Sequence, residues 1–472
     1  MDVPAAVVNE LAALCPVNTA ERDVAECSRD WWPLAMHWSL AGQVPARASV
    51  VARPEQPDAV AAIVRVCAAA GIPLTAVAGR SGVCGAAVPV YGGVVLDVTG
   101  LDGIVAVDAD AGVVEVLAGT FGPDLEAELQ QRHGLSVGHF PQSFDIATVG
   151  GWVACRGAGQ YSTRYGKIED IVVGLEVVLA DGTTVRTGGA PAAAVGPDLT
   201  QVFVGSEGTL GIVTRVWLRA HQLPAAERRA AYTFGSFAEG IEACRTVLQR
   251  GATPAVLRLY DEVESARGHH GDGVRCTMLV LDEGDQALVE ATMAVVADAC
   301  SSGQAADVEL VEAWMAHRND TSALQALTRK GFVVDTMEIA AAWSRLPELF
   351  AVVRVALLAV PHARAASCHL SHSYADGACL YFTFAATPPP DEIESTYVAL
   401  WDAGQRAVLE HGGNLSHHHG VGINRARFVA EALGPAHGVL TAIKGALDPA
   451  GILNPGKLGL PSPFGPSPWP VS

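Results

Sequence analysis

The segment Val77-Ala-Gly-Arg-Ser-Gly-Val-Cys-Gly85 places three glycines within seven residues, directly after a short apolar run. Glycines at this density let consecutive backbone N–H groups turn toward one point and hold an anion without a lysine. No Gly-Lys-Ser/Thr follows and no helical pattern starts here, so neither a P-loop nor a Rossmann fingerprint fits. Two more segments share the texture. Ser143-Phe-Asp-Ile-Ala-Thr-Val-Gly-Gly-Trp152 runs on through Cys155-Arg-Gly-Ala-Gly159 to Tyr165-Gly-Lys-Ile-Glu-Asp170, and the cradle expected there spans residues 138–159. Its small residues let main chain approach a flat aromatic ring, and Ser143, Thr148 and Ser162 offer hydroxyls to phosphate or ring atoms. Gly205-Ser-Glu-Gly-Thr-Leu-Gly211 is a third tight turn leading into a strand.

The elements around these turns follow from periodicity. Residues 58–70 repeat Ala, Ile and Val every three or four positions and read as a helix, while 49–52, 72–78 and 93–98 read as strands. Hairpins are expected at 104–108 with 113–118, and at 171–179 with 183–187, where Asp181-Gly182 supplies a two-residue turn. Residues 124–131 read as helix and 211–219 as strand. From about residue 231, strands (232–234, 256–259, 277–282, 368–374, 379–386) alternate with helices (237–249, 285–299, 345–358, 392–411). The expectation is an α+β fold. Residues 1–45 form a helical lead-in that Trp31, Trp32 and Trp38 pack down. The proline-rich residues 461–472 suit neither helix nor central strand.

With 472 residues, half of them hydrophobic, the chain can build two or three domains around large cores. Its 31 basic and 50 acidic residues give a formal charge of −19, which repels phosphate backbones, so no nucleic-acid partner is expected. The ten cysteines form no Cys-x-x-Cys pair. The N-terminus lacks a basic stretch followed by an apolar core. No apolar run reaches the roughly 18 residues of a membrane span. A cytoplasmic protein with reduced thiols and no integral membrane segment is expected.

Two later segments concentrate reactive side chains: Cys368-His-Leu-Ser-His-Ser-Tyr-Ala-Asp-Gly-Ala-Cys-Leu-Tyr-Phe-Thr-Phe384 and Gly412-Gly-Asn-Leu-Ser-His-His-His-Gly-Val-Gly422. Strand alternation puts Cys379 and Tyr381 on one face. Three histidines bounded by glycines, just after a helix, suit acid–base chemistry better than core filling. His369, His372 and His418 have ligand chemistry for Zn²⁺, but Asp376 is the one carboxylate in either segment and no metal site is expected.

The order and spacing of the three glycine segments resemble the FAD domain of the vanillyl alcohol oxidase and para-cresol methylhydroxylase superfamily, over about residues 46–222. The resemblance implies FAD as cofactor. Its pyrophosphate would lie on Gly79, Arg80, Ser81, Gly82, Val83, Cys84 and Gly85. Pro141, Ser143, Thr148, Gly150, Gly151, Gly157, Ser162 and Tyr165 would line the flavin, with Glu207 and Gly208 in the third turn and Ile212 and Val213 toward the adenine. Some relatives attach FAD to a histidine inside the first loop. Arg80 or Ser81 stands there, which implies non-covalent FAD.

With Gly138-His-Phe-Pro-Gln-Ser-Phe144, Tyr374-Ala-Asp-Gly-Ala-Cys-Leu-Tyr-Phe382 and Gly413-Asn-Leu-Ser-His-His-His-Gly-Val-Gly422, the likeness extends to about residues 46–460. It then resembles alkylglycerone phosphate synthase and its bacterial relatives. In that family a flavin N5 adduct lets an acyl group be exchanged for a fatty alcohol. The resemblance puts the catalytic tyrosine on Tyr381, the family's histidines on His417, His418 and His419, and an active-site arginine on Arg258. Two departures matter. A second essential arginine aligns with Leu324, with Arg318 and Arg329 out of register, and leucine cannot replace a guanidinium's bidentate grip on phosphate. The family strand's own arginine is His369. The segment Leu447-Asp-Pro-Ala-Gly-Ile-Leu-Asn-Pro-Gly-Lys457 resembles two-hydroxy-acid dehydrogenases of the same superfamily. In that branch's pattern, Tyr381 and His418 replace a histidine and a glutamate.

The expected organisation is a lead-in (1–45), a two-subdomain FAD-binding domain (46–222), an α/β cap with an antiparallel sheet (223–435), and a helical C-terminal segment (436–472) returning to the FAD domain. The expected function is a FAD-dependent oxidase or dehydrogenase of a small hydroxy- or amine-bearing substrate, with alkyl transfer as the alternative. Family analogy allows a homodimer.

Overall fold

Short β-branched runs punctuated by glycine and proline build the first half of the chain. The computed structural model describes all residues except Thr321, Pro468 and 470–472, and omits the side chains of Ala323 and Leu324. Val50–Ala52 and Leu74–Val77 both pair in parallel with Val94–Asp97. The helix Pro57–Ala70 starts on proline and stops at left-handed Gly71, and it buries Val60, Ile63, Val64 and Cys67 in the same core as these strands. The lead-in holds helices Ala5–Ala12, Glu21–Cys27 and Pro33–Leu40, and it also adds a strand that its sequence does not announce, Val17–Asn18, antiparallel to Val50–Ala52. Trp32 is fully buried and Trp38 packs on it edge-on, but Trp31 is 38% exposed and does not anchor the segment. An antiparallel sheet follows, in the order Ile104–Asp108, Val113–Leu117, Ile212–Arg219, Val172–Val178, Thr184–Gly188.

The second half is one seven-stranded antiparallel sheet. Its order is Gln304–Ala306, Ala226–Phe234, Cys276–Gly284, Val256–Tyr260, Ala363–Ser373, Gly377–Ala386, Val333–Ala342. Alternation sends Leu257, Leu259, Leu370, Leu380, Phe382, Met337 and Ile339 into one apolar core, covered by helices Phe237–Gln249, Leu346–Leu358 and Ile393–Glu410. The opposite face is apolar where Val256, Leu279 and Leu281 pack against Val311 and Trp314 and polar beyond them, and register lines the polar part up. Glu338 pairs with Tyr381, Tyr381 with His369, and His369 with Tyr260, a single row across four strands. Arg258 lies two residues before Tyr260, on the same face.

After Ile393–Glu410 the chain turns at Gly412 and runs along the free edge of Val333–Ala342. Asn414 accepts from the Ala340 N–H at 2.7 Å and its own N–H donates to the Ala340 carbonyl at 2.9 Å. That docking carries the three histidines to the end of the Glu338–Tyr381–His369 row. The helix Ala436–Leu447 and the segment after it return to the first half, where Leu453 bridges Leu74.

Candidate active site

The glycine segments divide by what faces them. A side chain at Gly79 would meet the Ile146 carbonyl at 2.1 Å, and one at Gly159 the Phe140 nitrogen at 2.6 Å, so these two serve close chain-to-chain packing. A side chain at Gly82, Gly151, Gly157 or Gly208 would meet nothing nearer than 3.2 Å, which leaves space beside these glycines for a ligand, although the Gly157 N–H and carbonyl are already bonded to Trp152 and Ile168. Beside Gly157 lies His139, buried against Trp152, with both ring nitrogens unpartnered; the Trp152 indole N–H is unpartnered too. Burial, then the Lys167 charge, pushes the His139 pKa down to about 3, so its ring is neutral. Orphaned buried polar atoms are costly unless a ligand meets them. This set, next to that open space, fits the flavin and pyrophosphate that the three segments imply. His139 lies inside the Gly138–Phe144 segment but was not singled out there; the missing signal was its burial.

Other expected residues are partly engaged elsewhere. Thr148 caps the helix Val149–Cys155 by accepting from the Gly151 N–H at 3.3 Å. The Ser162 hydroxyl lies 2.6 Å from His372 Nδ1. The Tyr165 hydroxyl points away to Glu283, to which it donates at 2.7 Å. Glu207 spends its carboxylate on backbone N–H groups of Val421 (2.6 Å) and Gly422 (2.9 and 3.0 Å). Cys84 is buried, and its carbonyl accepts from Ile423 and Asn424. Pro141, Ser143 and Val213 are half-buried, while Ile212 lies in the core beside Leu74. The first loop is backed by the lead-in: Trp31 N–H donates to the Gly82 carbonyl at 2.9 Å, and Arg80 reaches the Cys27 sulfur at 3.6 Å.

Glu207 and Cys84 tie the glycine segments to the histidine loop from below, and Glu338 ties it from the sheet. Glu338 is fully buried on the strand Val333–Ala342, which the sequence pattern does not reveal because Asp335, Thr336 and Glu338 interrupt its apolar run. Its Oε1 accepts from Ser416 Oγ at 2.7 Å and from the N–H groups of His417, His418 and His419 at 3.2, 3.1 and 2.9 Å. Its Oε2 pairs with buried Arg425 and lies 3.0 Å from His419 Nδ1, out of line for a hydrogen bond. Burial alone would raise the Glu338 pKa; Arg425, then His419 and His418, outweigh it and hold the carboxyl well below its usual range.

The three histidines differ. His417 is engaged at both ring nitrogens, to Tyr374 Oη at 2.6 Å and to His418 Nδ1 at 2.8 Å, and its carbonyl accepts from Lys167 at 2.6 Å. Burial foremost, with Lys167 for His417 and His419 for His418, lowers both pKa values well below 6.5, leaving neutral rings. Among the described residues, no hydrogen bond involves His419 Nε2, so that atom is available. Tyr381 stacks on His369 (4.7 Å, 16°) and meets His419 edge-on, and its hydroxyl donates to Thr336 at 3.1 Å. Burial raises its pKa well above 10, so it is a phenol, a donor and not a base, at neutral pH.

His369 does not join a metal cluster. It lies 2.7 Å from Arg258 Nη2 and 2.9 Å from Glu264 Oε2, and Arg258 Nε also donates to Tyr260 Oη. The ring nitrogens that converge, within 4.8 Å, belong to His372, His417 and His418. Asp376 lies exposed at the turn and gives this trio no carboxylate. Leu324 falls on the helix Ser322–Arg329, with its side chain outside the described ones.

Comparison with known proteins gives the family and the fold. Residues 48–188 match the family model described as FAD binding domain, and 223–458 that described as FAD linked oxidases, C-terminal domain. The FAD-linked oxidoreductase YgcU of Escherichia coli (strain K12) is 31% identical over 407 residues, 82% of this chain and 83% of that one. Alkyldihydroxyacetonephosphate synthase of Trypanosoma brucei brucei is 29% identical over 404 residues, 78% and 65%. A solved alkyldihydroxyacetonephosphate synthase shares the fold at TM-score 0.80 and 23% identity, covering 96% of this chain and 85% of that one. Substrate-bound p-cresol methylhydroxylase does so at 0.76 and 18%, covering 96% of each. Among the described residues no helix is long and apolar enough to cross a membrane. Two glycine-lined cradles, a histidine loop docked on a polar sheet face and these matches together place the chain in the FAD-linked oxidase family, as a FAD-dependent oxidoreductase.

Proposed function

We propose that the chain oxidises a small hydroxy- or amine-bearing substrate at the carbon beside the oxygen or nitrogen, with His419 as the base. When bound, FAD supplies the acceptor for two electrons and the carbon's hydrogen. The observation that carries the reading is the Glu338–His419 pair: a buried carboxylate lies 3.0 Å behind Nδ1, and Nε2 is left to take the substrate's O–H or N–H proton. Tyr381, a phenol whose hydroxyl is held by Thr336, orients the substrate oxygen or nitrogen beside it. His417, bonded on both nitrogens, positions the loop. Gly79–Gly85 and the space beside Gly151 and Gly157 hold the cofactor without a covalent link. Cys84 and Cys155 support this, since burial foremost raises both thiols, that of Cys155 to about 12, and neither is a ready nucleophile.

The test is anaerobic bleaching of the bound flavin by a panel of alcohols, hydroxy acids and amines. Bleaching by at least one class, with hydroxy- or amine-free analogues inert, is expected. A flavin that none of them reduces, together with ether formation from acyl-dihydroxyacetone phosphate and a fatty alcohol, would instead group the chain's activity with its alkyldihydroxyacetonephosphate synthase relatives. Acid precipitation should leave a colourless pellet; a yellow pellet would overturn non-covalent binding.

A further inference from the structure

The strand Ala363–Ser373 breaks its own alternation at one residue. Cys368 and Leu370 point into the apolar core and His369 lies on the polar row, so position 372 falls on the core side. The register against Gly377–Ala386 instead slips between Ser371 and Ser373, and His372 takes a left-handed φ of 52°. Such a bulge re-aims a side chain. Its backbone strain, in a residue other than glycine, persists only where the surroundings enforce it. Here the bulge delivers a buried ring to the histidine loop: His372 stacks on His417 (5.0 Å, 29°) and lies tilted against His418 at 4.9 Å.

What enforces the bulge comes from the first half of the molecule, which carries the glycine segments. The short helix Ser162–Tyr165 bonds the seven-stranded sheet with each of its four side chains. The Ser162 hydroxyl, itself buried, lies 2.6 Å from His372 Nδ1. Thr163 Oγ1 accepts from the Ser373 N–H at 3.0 Å. Arg164 donates to Asp282 at 2.8 Å and Tyr165 to Glu283 at 2.7 Å. The first two bonds grip the bulge itself, and the last two fix the helix to the strand Cys276–Gly284 of the same sheet. We infer that His372 is a positioning residue for the histidine loop and that Ser162 holds it, so that the first half of the molecule sets the shape of the loop from which His419 acts. Ser162 then serves the loop, in place of the flavin contact that the family resemblance implies for its hydroxyl. The kinetic consequence rests on the proposed reaction site; the structural one does not.

The experiment is hydrogen exchange, read by mass spectrometry, on the FAD-loaded protein, beside fluorescence titration with FAD and anaerobic bleaching. The amides of His417, His418 and His419 should exchange about tenfold faster in Ser162→Ala. His372→Asn, which tolerates the left-handed backbone but removes the ring, should do the same. Ser162→Thr keeps a hydroxyl and should return exchange toward the parent rate. The FAD dissociation constant of Ser162→Ala should stay close to that of the parent, while bleaching of its bound flavin slows by about ten- to a hundredfold, as a displaced reacting group requires. Exchange at the parent rate in both Ser162→Ala and His372→Asn overturns the inference. So does a Ser162→Ala protein that binds FAD far more weakly yet bleaches at the parent rate when saturated, since the hydroxyl then serves the cofactor. The outcome is separable from the redox reading. Faster exchange beside unchanged bleaching keeps His372 as the holder of the loop and removes the loop from the reaction. A parent flavin that no substrate bleaches removes the reaction and leaves the exchange result standing.

Discussion

Glu207 and Glu338 grip the same loop from opposite halves of the molecule, and both are buried. Among the described residues the Glu207 carboxylate hydrogen-bonds to the backbone of Val421 and Gly422, and burial, its largest influence, outweighs these bonds and the charges of Lys457 and Arg425 and raises its pKa. Glu338 accepts from the backbone of three successive histidines, yet its second oxygen is given to Arg425 and His419, and its pKa falls. A buried carboxylate satisfied by amides alone is an anchor. One that also faces cations carries a fixed charge, and that charge is what the site uses.

Glu338→Gln should therefore be the most damaging change. It leaves the Arg425 guanidinium buried without a counter-charge, at a cost of about 3–5 kcal/mol in urea denaturation. Next, Tyr381→Phe should slow substrate-driven flavin bleaching about a hundredfold while leaving the denaturation midpoint near that of the parent, because a single oriented hydroxyl is lost. Glu207→Gln keeps one oxygen for Val421 and should cost only about 1–2 kcal/mol. A loss equal to that of Glu338→Gln would erase the distinction between anchor and charge.

The pH dependence sharpens the same contrast through Asp335, on the strand of Glu338 but facing the helices. Burial raises its pKa from 3.8 to about 6, against the hydrogen bonds it accepts from Tyr397 at 2.5 Å and Trp401 at 2.9 Å. The folded state thus holds this proton more tightly than the unfolded chain. The stability it gives is complete below pH 3.8 and is lost as pH rises through about 6. Asp335→Asn should melt progressively higher relative to the parent as pH climbs through that window; a constant difference would show that Asp335 is ionised throughout. The Glu338 contribution has the opposite sign, present above its ordinary 4.5 and lost only in stronger acid. The smallest effect expected is that of a chelator. His372, His417 and His418 already satisfy one another, Ser162 and Tyr374, so exhaustive dialysis against EDTA should leave bleaching unchanged, and a loss restored by Zn²⁺ would assign them a metal.

The legible parts of the sequence were those governed by local rules. Glycine density marked three segments of tight backbone, the Asp181-Gly182 turn located a hairpin, and alternation in residues 379–386 put Tyr381 on the polar face and Leu380 and Phe382 in the core. Glu338 and Arg425 were not legible, and His139 was not singled out within its quoted segment, because their roles depend on burial and on partners distant along the chain. A glutamate inside an apolar run reads as a break in a strand until the cation that neutralises it is known.

The central claim is that His419, backed by the charge of Glu338, takes the substrate's proton. Stopped-flow measurement of anaerobic flavin bleaching by the best substrate of the panel tests it in His419→Gln. The rate constant should fall by about 10²–10⁴-fold, with the visible flavin spectrum and FAD content unchanged. A variant that bleaches at the parent rate would contradict it.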